Sequence, residues 1–336
     1  MRLLALVNPS AGDGTAEAMV AAAMREVFAP AGVQLEVIIT RRLGHAREFV
    51  AGLAPERLAA LDGIVIVSGD GLIAEVIQGL ASRPDGAAVL RATPIGALPA
   101  GSGNGLCKSL MHASGLRSCD PLDAARLICR GHHRALDLAR VTLGSGSSPA
   151  VPSPFHSFLS VSWGLIGDVD IEADFLRPQL GASRFDPWFA RRVRYPRLYR
   201  GQLHYRPVGA GSAGGLPTAA PALGEPLPTG WLRIEGPFLF LWACNVAWMT
   251  RTSLVAPSAS PDDGRWQLVV ACGAELADAD AAGLQKLCME LAGAMGGQVR
   301  RSVTVVRTAR CGALRCNDTW LLGCLGAGGA PESAAD

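Results

Sequence analysis

Short apolar runs alternate, along the first 135 residues, with stretches whose apolar positions recur every three or four residues. The runs at 3–7, 34–39, 63–67 and 94–99 have strand length and β-branched content. The helical pattern fills 15–28, 44–60, 72–81 and about 104–111. Such alternation predicts a parallel sheet covered by helices, since parallel strands need long crossover connections. Past a Gly/Ser/Pro-rich stretch at 143–154 the pattern changes. Strand-like runs at 155–163, 202–207, 231–249, 266–272 and 299–311, broken by a helical stretch at 278–295, predict a mostly antiparallel β-sandwich. The expected organisation is therefore an α/β domain at 1–142, a linker at 143–154, a β-rich domain at 155–325 and a frayed tail at 326–336. Residues 208–230 read as an Ala/Gly/Pro-rich loop.

Composition narrows the class. Across 336 residues, 49% are hydrophobic and 18% charged, which excludes a disordered chain. A formal net charge of +2 gives no global field for nucleic acid. Nine cysteines without CxxC spacing read as reduced thiols of a cytoplasmic protein. The opening MRLLALVNPSAG suits a first strand better than a signal peptide, its apolar run being too short. The longest apolar stretch, 237–249, is broken by Asn245 and too short to span a bilayer.

Three glycine-rich turns sit where strands end: Asn8-Pro9-Ser10-Ala11-Gly12-Asp13-Gly14, Ser68-Gly69-Asp70-Gly71 and Pro99-Ala100-Gly101-Ser102-Gly103-Asn104-Gly105. In an open α/β sheet the carboxyl-end turns of neighbouring strands meet at the ligand edge. Glycine lets backbone amides approach a phosphate, and the helix after each turn points its positive end the same way. Together they suit an anionic ligand with several phosphates. No Walker A loop occurs, and Gly101, Gly103 and Gly105 have GxGxG rather than dinucleotide spacing. Beside a polyphosphate, Asp70 would hold Mg²⁺, directly or through water, or accept a proton from an attacking hydroxyl.

NPSAG, SGDGLIAEVIQGL followed by RPDG, and LPAGSGNGL resemble the nucleotide-binding turns of the diacylglycerol kinase catalytic fold, and more narrowly those of sphingosine kinases. TRRLGHAREFV, SVSWGLIGDVDIEADFLRPQLGASRF, YRGQLHYRP and VAPSASPDDG extend the likeness over most of the chain. The resemblance implies phosphorylation of the primary hydroxyl of a sphingoid base, using ATP and Mg²⁺. It implies Asp70 as the catalytic acid-base and as the residue on the metal side of Mg-ATP. It places Asn8, Pro9, Ser10, Gly12, Thr40, Ser68, Gly69, Gly71, Glu75, Gly101, Ser102, Gly103, Asn104, Arg177 and Arg184 at the nucleotide. One extra residue near Pro178 separates the two arginines relative to the family pattern. Asp170 is expected at the amino-alcohol head, Ser160 near it, and Leu165, Ile166, Val169 and Phe185 along the acyl chain. The chain departs from the family where an Asp-Gly-Glu turn is usual: it has Arg315-Cys316-Asn317-Asp318-Thr319-Trp320, with Asp318 a shifted replacement.

Leu72 after GDG, where bacterial diacylglycerol kinases favour threonine, and the GSGN turn, which differs in ceramide kinases, favour a sphingoid base. Diacylglycerol or ceramide kinases and a catalytically impaired lipid-binding relative are the alternatives. An NAD kinase-like enzyme shares the GDG turn but has no use for the apolar, acid-capped segment at 155–189. A calcium loop at Asp168, Asp170, Glu172 and Asp174 lacks its turn glycine at Ala173 and its last acid at Gln179, so Glu172 and Asp174 read as a solvated acidic face. His132-His133 has no third ligand, and Lys108 reads as exposed on its helix. Arg191, Arg192, Arg194, Arg197 and Arg200 read as a solvated helix face, or as a peripheral contact with anionic membrane lipids. No GxSxG elbow suggests a hydrolase. Monomer and homodimer both stay open.

Overall fold

A computed structural model describes residues 1–143, 155–207 and 226–273, positions 276, 282, 283 and 286, and strands at 306–316 and 319–324. The N-terminal elements run β1 (Arg2–Val7), α1 (Ala16–Ala23, continued by a π-helical turn over Met24–Phe28), β2 (Gln34–Ile39), α2 (His45–Ala51), α3 (Pro55–Ala59), β3 (Gly63–Ser68), α4 (Asp70–Ala81), α5 (Gly86–Ala92), β4 (Ile95–Pro99), α6 (Gly105–Ala113) and α7 (Pro121–Cys129). The sheet order is β2-β1-β3-β4, every pairing parallel. Strand alternation splits the core into two layers. Leu4, Leu6, Ile64 and Ile66 meet Val50, Leu58, Ile73 and Val76 on one face. Leu3, Ala5, Val7, Val65 and Val67 meet Val20, Ala23, Met111 and Ala124 on the other.

The helices differ from the sequence pattern in three places, one of them α5, where no helix was expected. The stretch at 44–60 divides because α2 closes on Gly52 and Pro55, which lacks an N–H, starts α3. α7 was not expected, although its start signal is present: Asp120 accepts from the amides of Leu122 and Asp123, with Pro121 in the first turn.

The remaining elements are β5 (Ala139–Leu143), β6 (Phe155–Ser157), β7 (Ser160–Gly164), α8 (Leu165–Glu172), α9 (Arg177–Leu180), α10 (Phe185–Arg194), β8 (Tyr199–Pro207), β9 (Leu232–Cys244), β10 (Trp266–Cys272), β11 (Val306–Cys316) and β12 (Thr319–Cys324). They join in one antiparallel sheet, ordered β10-β9-β8-β11-β12-β5-β6 with β7 beside β9. β11 pairs with β10 through 306–311 and with β8 through 311–316, so the sheet rolls over on itself and supplies both of its layers. Of the last expected strand, at 299–311, residues 306–311 are strand, while 299–305, like the expected linker, tail, most of the 208–230 loop and most of the 278–295 helix, lie outside the described residues. The expected strand at 155–163 is two strands separated at Phe158 and Leu159. Buried Asn245 accounts for the break: its Nδ2 donates to Asp137 O and Phe158 O, and its N–H to Leu159 O. An asparagine in an apolar run is here the knot that closes β9. Among the described residues no helix is long and apolar enough to cross a membrane.

The helices α8 and α9 were not expected, and the packing of α8 on α10 corrects the reading of Glu172. Glu172 Oε2 accepts from Trp188 Nε1 at 2.9 Å and Arg192 Nε at 2.7 Å, and Oε1 from Arg197 Nη1 at 2.8 Å. It is the ion-pair hub between α8 and α10. Asp174, likewise, pairs with Arg177. Arg192 is buried, and Arg191 and Arg194 stack on Tyr195, so the basic run is largely tied down by the fold.

The hub yields a prediction. Arg192, chiefly, holds the Glu172 carboxyl at about 2, below its ordinary 4.5. A depressed carboxylate adds stability above its unfolded value and loses it as pH falls through the folded one. Glu172→Gln is expected to cost about 2 kcal/mol at pH 7, discounted from a fully buried pair because Glu172 is partly exposed. The gap in Tm between this variant and wild type should close as pH drops from about 5 towards 2, as thermal melts across pH would show. A gap independent of pH would contradict it.

Candidate functional site

In the order β2-β1-β3-β4 the crossovers turn in opposite directions between β1 and β3, which opens a crevice at their carboxyl ends. The first two glycine-rich turns leave these strands, and the third leaves β4 beside them. The turns touch through backbone. Gly12 has φ +54°, and a Cβ there would stand 2.4 Å from Ala100 O. A Cβ on Gly101 would stand 2.2 Å from Gly69 Cα. Gly71, by contrast, has nothing within 4 Å of a built Cβ. Gly12, Gly69 and Gly101 thus serve the packing of the turns, and the space over Gly71 is open.

Asp70 opens α4, but its carboxylate serves α6. Oδ2 accepts from Gly105 N–H at 2.9 Å and Oδ1 from Leu106 N–H at 3.1 Å. The acid therefore binds two orphan donors at the positive end of another helix. Burial pushes its pKa up, and these amides, with that of Asn104, act against the rise. A carboxylate offers about four lone-pair sites, so acceptor capacity remains.

The third turn is shaped by Asn104, the one non-glycine residue with positive φ among those described. Its Oδ1 accepts from Gly101 N–H at 2.9 Å and its Nδ2 donates to Gly101 O at 2.5 Å, so this buried side chain is spent on the turn itself. Thr40 is buried and directs both N–H and Oγ1 to Val7 O. Asn8 Oδ1 caps Ser10 N–H; Pro9 is half-buried and Ser10 exposed. Ser68 is buried, its carbonyl accepting from Ala100 N–H. Glu75 has a buried Oε2 without a partner among the described residues. The amides of Ser102 and Gly103 likewise have no acceptor among them.

The 160–185 segment reaches this edge. A Cβ on Gly181 would stand 3.9 Å from Asp13 Oδ1 and 4.0 Å from Gly12 O, so this segment borders the first turn. Arg184 is buried, stacks on Phe185 at 3.9 Å and donates from Nη1 to Gly181 O. Its Nε is buried without a hydrogen bond, the nearest carboxylate oxygen, on Asp174, being 4.0 Å away. Burial, then Arg177, lowers its pKa, while Asp174 and Asp170 oppose the shift. Arg177 is exposed and bound to Asp174. Asp170 is exposed on α8 without a hydrogen bond among the described residues, whereas its neighbour Asp168 accepts from Tyr199 OH at 2.7 Å. Leu165 and Val169 are buried in the core, and Ile166 and Phe185, partly buried, pack against the same cluster. Ser160 is half-buried at the start of β7.

The sequence pattern missed the seam between the two sheets. A Cβ on Gly105 would stand 2.7 Å from Trp248 O, and Ser109 Oγ accepts from Trp248 N–H at 3.0 Å. This seam corrects the expectation for Lys108. The side chain is buried, its Nζ donating to Arg117 O and lying 4.7 Å over the Trp248 ring. A tryptophan 140 residues downstream leaves no local signal beside Lys108. Of the departing turn, Arg315 and Cys316 pair with Trp320 and Thr319, while Asn317 and Asp318 lie outside the described residues.

Among the described residues no group of three or more His, Cys, Asp or Glu is placed to hold a metal. Magnesium commonly keeps several waters and uses one or two carboxylates plus substrate phosphates, so the single carboxylate of Asp70, with lone pairs to spare, fits an ion carried by a nucleotide.

Residues 2–141 match the family model of the diacylglycerol kinase catalytic domain. The chain is 35% identical to sphingosine kinase 2 of Arabidopsis thaliana over 285 residues, 80% of this chain and 56% of that one. It is 35% identical to sphingosine kinase 1 of Homo sapiens over 247 residues, 68% of this chain and 61% of that one. The chain thus spans little more than half the length of these relatives. A crystal structure of a diacylglycerol kinase from Bacillus anthracis str. Sterne superposes with TM-score 0.57 at 14% identity, covering 97% of this chain and 94% of that one. At that identity the likeness establishes a shared fold.

Proposed function

The chain belongs, through residues 2–141, to the diacylglycerol kinase catalytic-domain family, and we propose on that premise that it is an ATP-dependent lipid kinase acting on the primary hydroxyl of a sphingoid base. The observation that carries this reading is the convergence of three turns on Asp70, with the Arg184 segment lying against the first turn. The exposed Asp170 on α8 and the apolar residues packed beside it supply an acid for a protonated amine next to greasy surface, which fits the relatives' named substrate.

The reaction assigns each group a task. The acceptor O–H gives its proton to Asp70 while its oxygen bonds to the γ-phosphorus of ATP; the bond from that phosphorus to the bridging oxygen breaks and ADP leaves. Free amides of Ser102 and Gly103 and the guanidinium groups of Arg184 and Arg177 face the growing charge. When bound, Mg²⁺ would neutralise β- and γ-phosphate charge, with Asp70 reaching it directly or through a water. Arg177 must first exchange Asp174 for phosphate. Arg191 and Arg194, near exposed Tyr195, supply a peripheral contact with anionic lipid from a cytoplasmic enzyme.

The test is phosphate transfer from Mg-ATP to sphingosine, phytosphingosine, diacylglycerol and ceramide in parallel, in wild type and Asp170→Asn. Turnover confined to the free-amine bases is expected, with their KM raised about tenfold in the variant. Turnover on diacylglycerol or ceramide alone would reject the substrate class, and ATP binding without turnover on any lipid would reject the kinase.

A further inference from the structure

Arg251 stands in the loop between β9 and β10, yet it holds the third glycine-rich turn 150 residues earlier. Its backbone N–H donates to Gly103 O at 2.8 Å. Its Nη2 donates to Pro99 O at 2.5 Å and to Gly101 O at 3.3 Å. One residue thus grips three alternate carbonyls of the turn. A trans peptide is planar, so its C=O and the N–H that follows point in opposite directions. Holding Pro99 O aims Ala100 N–H away, and it meets Ser68 O of the second turn at 3.1 Å. Holding Gly103 O aims Asn104 N–H away from Arg251, on the side where Asp70 lies. Holding Gly101 O aims Ser102 N–H away as well, and that amide has no acceptor among the described residues.

We propose that Arg251 is a positioning residue for the nucleotide: it sets the peptide planes of the third turn so that Ser102 N–H is presented to a phosphate while the same turn stays registered on Ser68 and Asp70. The inference rests on the kinase reading and deepens it. Asn104 Nδ2 also holds Gly101 O, but Asn104 belongs to the turn and moves with it. Arg251 anchors the turn from outside, on the side of the molecule that carries the second sheet. One nitrogen, Nη2, meets both carbonyls at the far end of a planar guanidinium, whereas the ammonium of lysine keeps the charge on a stem one bond shorter and falls short of that position. The position is exposed, which makes substitution tolerable to the core.

Calorimetric titration with a non-hydrolysable ATP analogue, lipid omitted, tests this on Arg251→Ala and Arg251→Lys. The alanine variant is expected to bind about tenfold more weakly, with the lysine variant between it and wild type. In turnover the KM for ATP should rise by a similar factor while that for the lipid changes by less than about twofold, a split that loss of general stability does not produce. The nucleotide-free Tm of both variants should stay within about 3 °C of wild type. Wild-type affinity in Arg251→Ala overturns the inference; if that variant does not fold, wild-type affinity in Arg251→Lys does. A wild-type chain that binds the analogue but phosphorylates no lipid sinks the kinase reading alone, and the affinity ratio still decides on Arg251. A wild-type chain that binds no nucleotide sinks both.

Discussion

Asp70→Asn is expected to lower kcat by about 10³ while ATP affinity falls less than about tenfold. The amide is nearly isosteric with the carboxylate, but it cannot take a proton from the acceptor hydroxyl. The hydrogen bonds add a condition. Both carboxylate oxygens accept from backbone N–H groups, so asparagine turns one contact into donor against donor. That cost is about 1–2 kcal/mol and shows as a lower Tm, not as lost turnover. Kinetics at a temperature where the variant is fully folded, with ATP binding measured beside it, separate the two effects. A kcat within about tenfold of wild type would remove Asp70 from the chemistry.

The same carboxylate predicts the pH profile. Burial raises its pKa above the ordinary aspartate value of 3.8, against the pull of the Gly105 and Leu106 amides. A base must be ionised to act, so kcat/KM should fall as pH drops through that raised value, at a higher pH than an exposed aspartate would give. For stability the sign is opposite to that of Glu172. A raised carboxyl favours the folded state below its unfolded value and loses that contribution as pH climbs through the folded one. The fold thus carries the charged form of Asp70 at a cost from burial, which the amides of Gly105 and Leu106 partly offset.

What the sequence made legible was local. The four parallel strands, the three turns and Asp70 could be read because each rests on a run of neighbours: β-branched stretches, glycine spacing, a helix after each turn. Glu172, Lys108 and Arg251 could not, since their partners lie 20, 140 and 150 residues away and leave no periodicity. The acids at 168, 170, 172 and 174 alternate like a strand, yet Leu165–Glu172 is helical. There Val169 and Leu165 enter the core at helical spacing while Asp170 faces out, and tertiary packing overrides the apparent period of two. The roll of the second sheet was equally hidden, because one long strand, Val306–Cys316, changes partners midway.

Glycine spacing was legible, but what each glycine does was not, and this carries the second large expected effect. Gly101→Ala should destabilise the fold by roughly 3 kcal/mol, the upper end for forced overpacking. Its Cβ would stand 2.2 Å from Gly69 Cα and 2.5 Å from Gly69 N. Both are backbone atoms, so no side chain can swing aside, and the second and third turns must separate. Asp70 follows Gly69 directly and bonds to Gly105 and Leu106 beyond the third turn, so that separation also strips its amide donors. A Tm lowered by roughly 4 °C is expected, with ATP affinity lost at temperatures where the chain still folds. Gly71→Ala is the matched control: the added methyl meets nothing within 4 Å and the backbone is not in the left-handed region. Its Tm should be unchanged or slightly higher, since alanine favours the first turn of α4. If the open space over Gly71 is where phosphate or acceptor passes, this variant loses turnover with its stability intact. Wild-type turnover in Gly71→Ala would mean that the acid sits between two glycines because of turn packing alone, with nothing bulky approaching the backbone there.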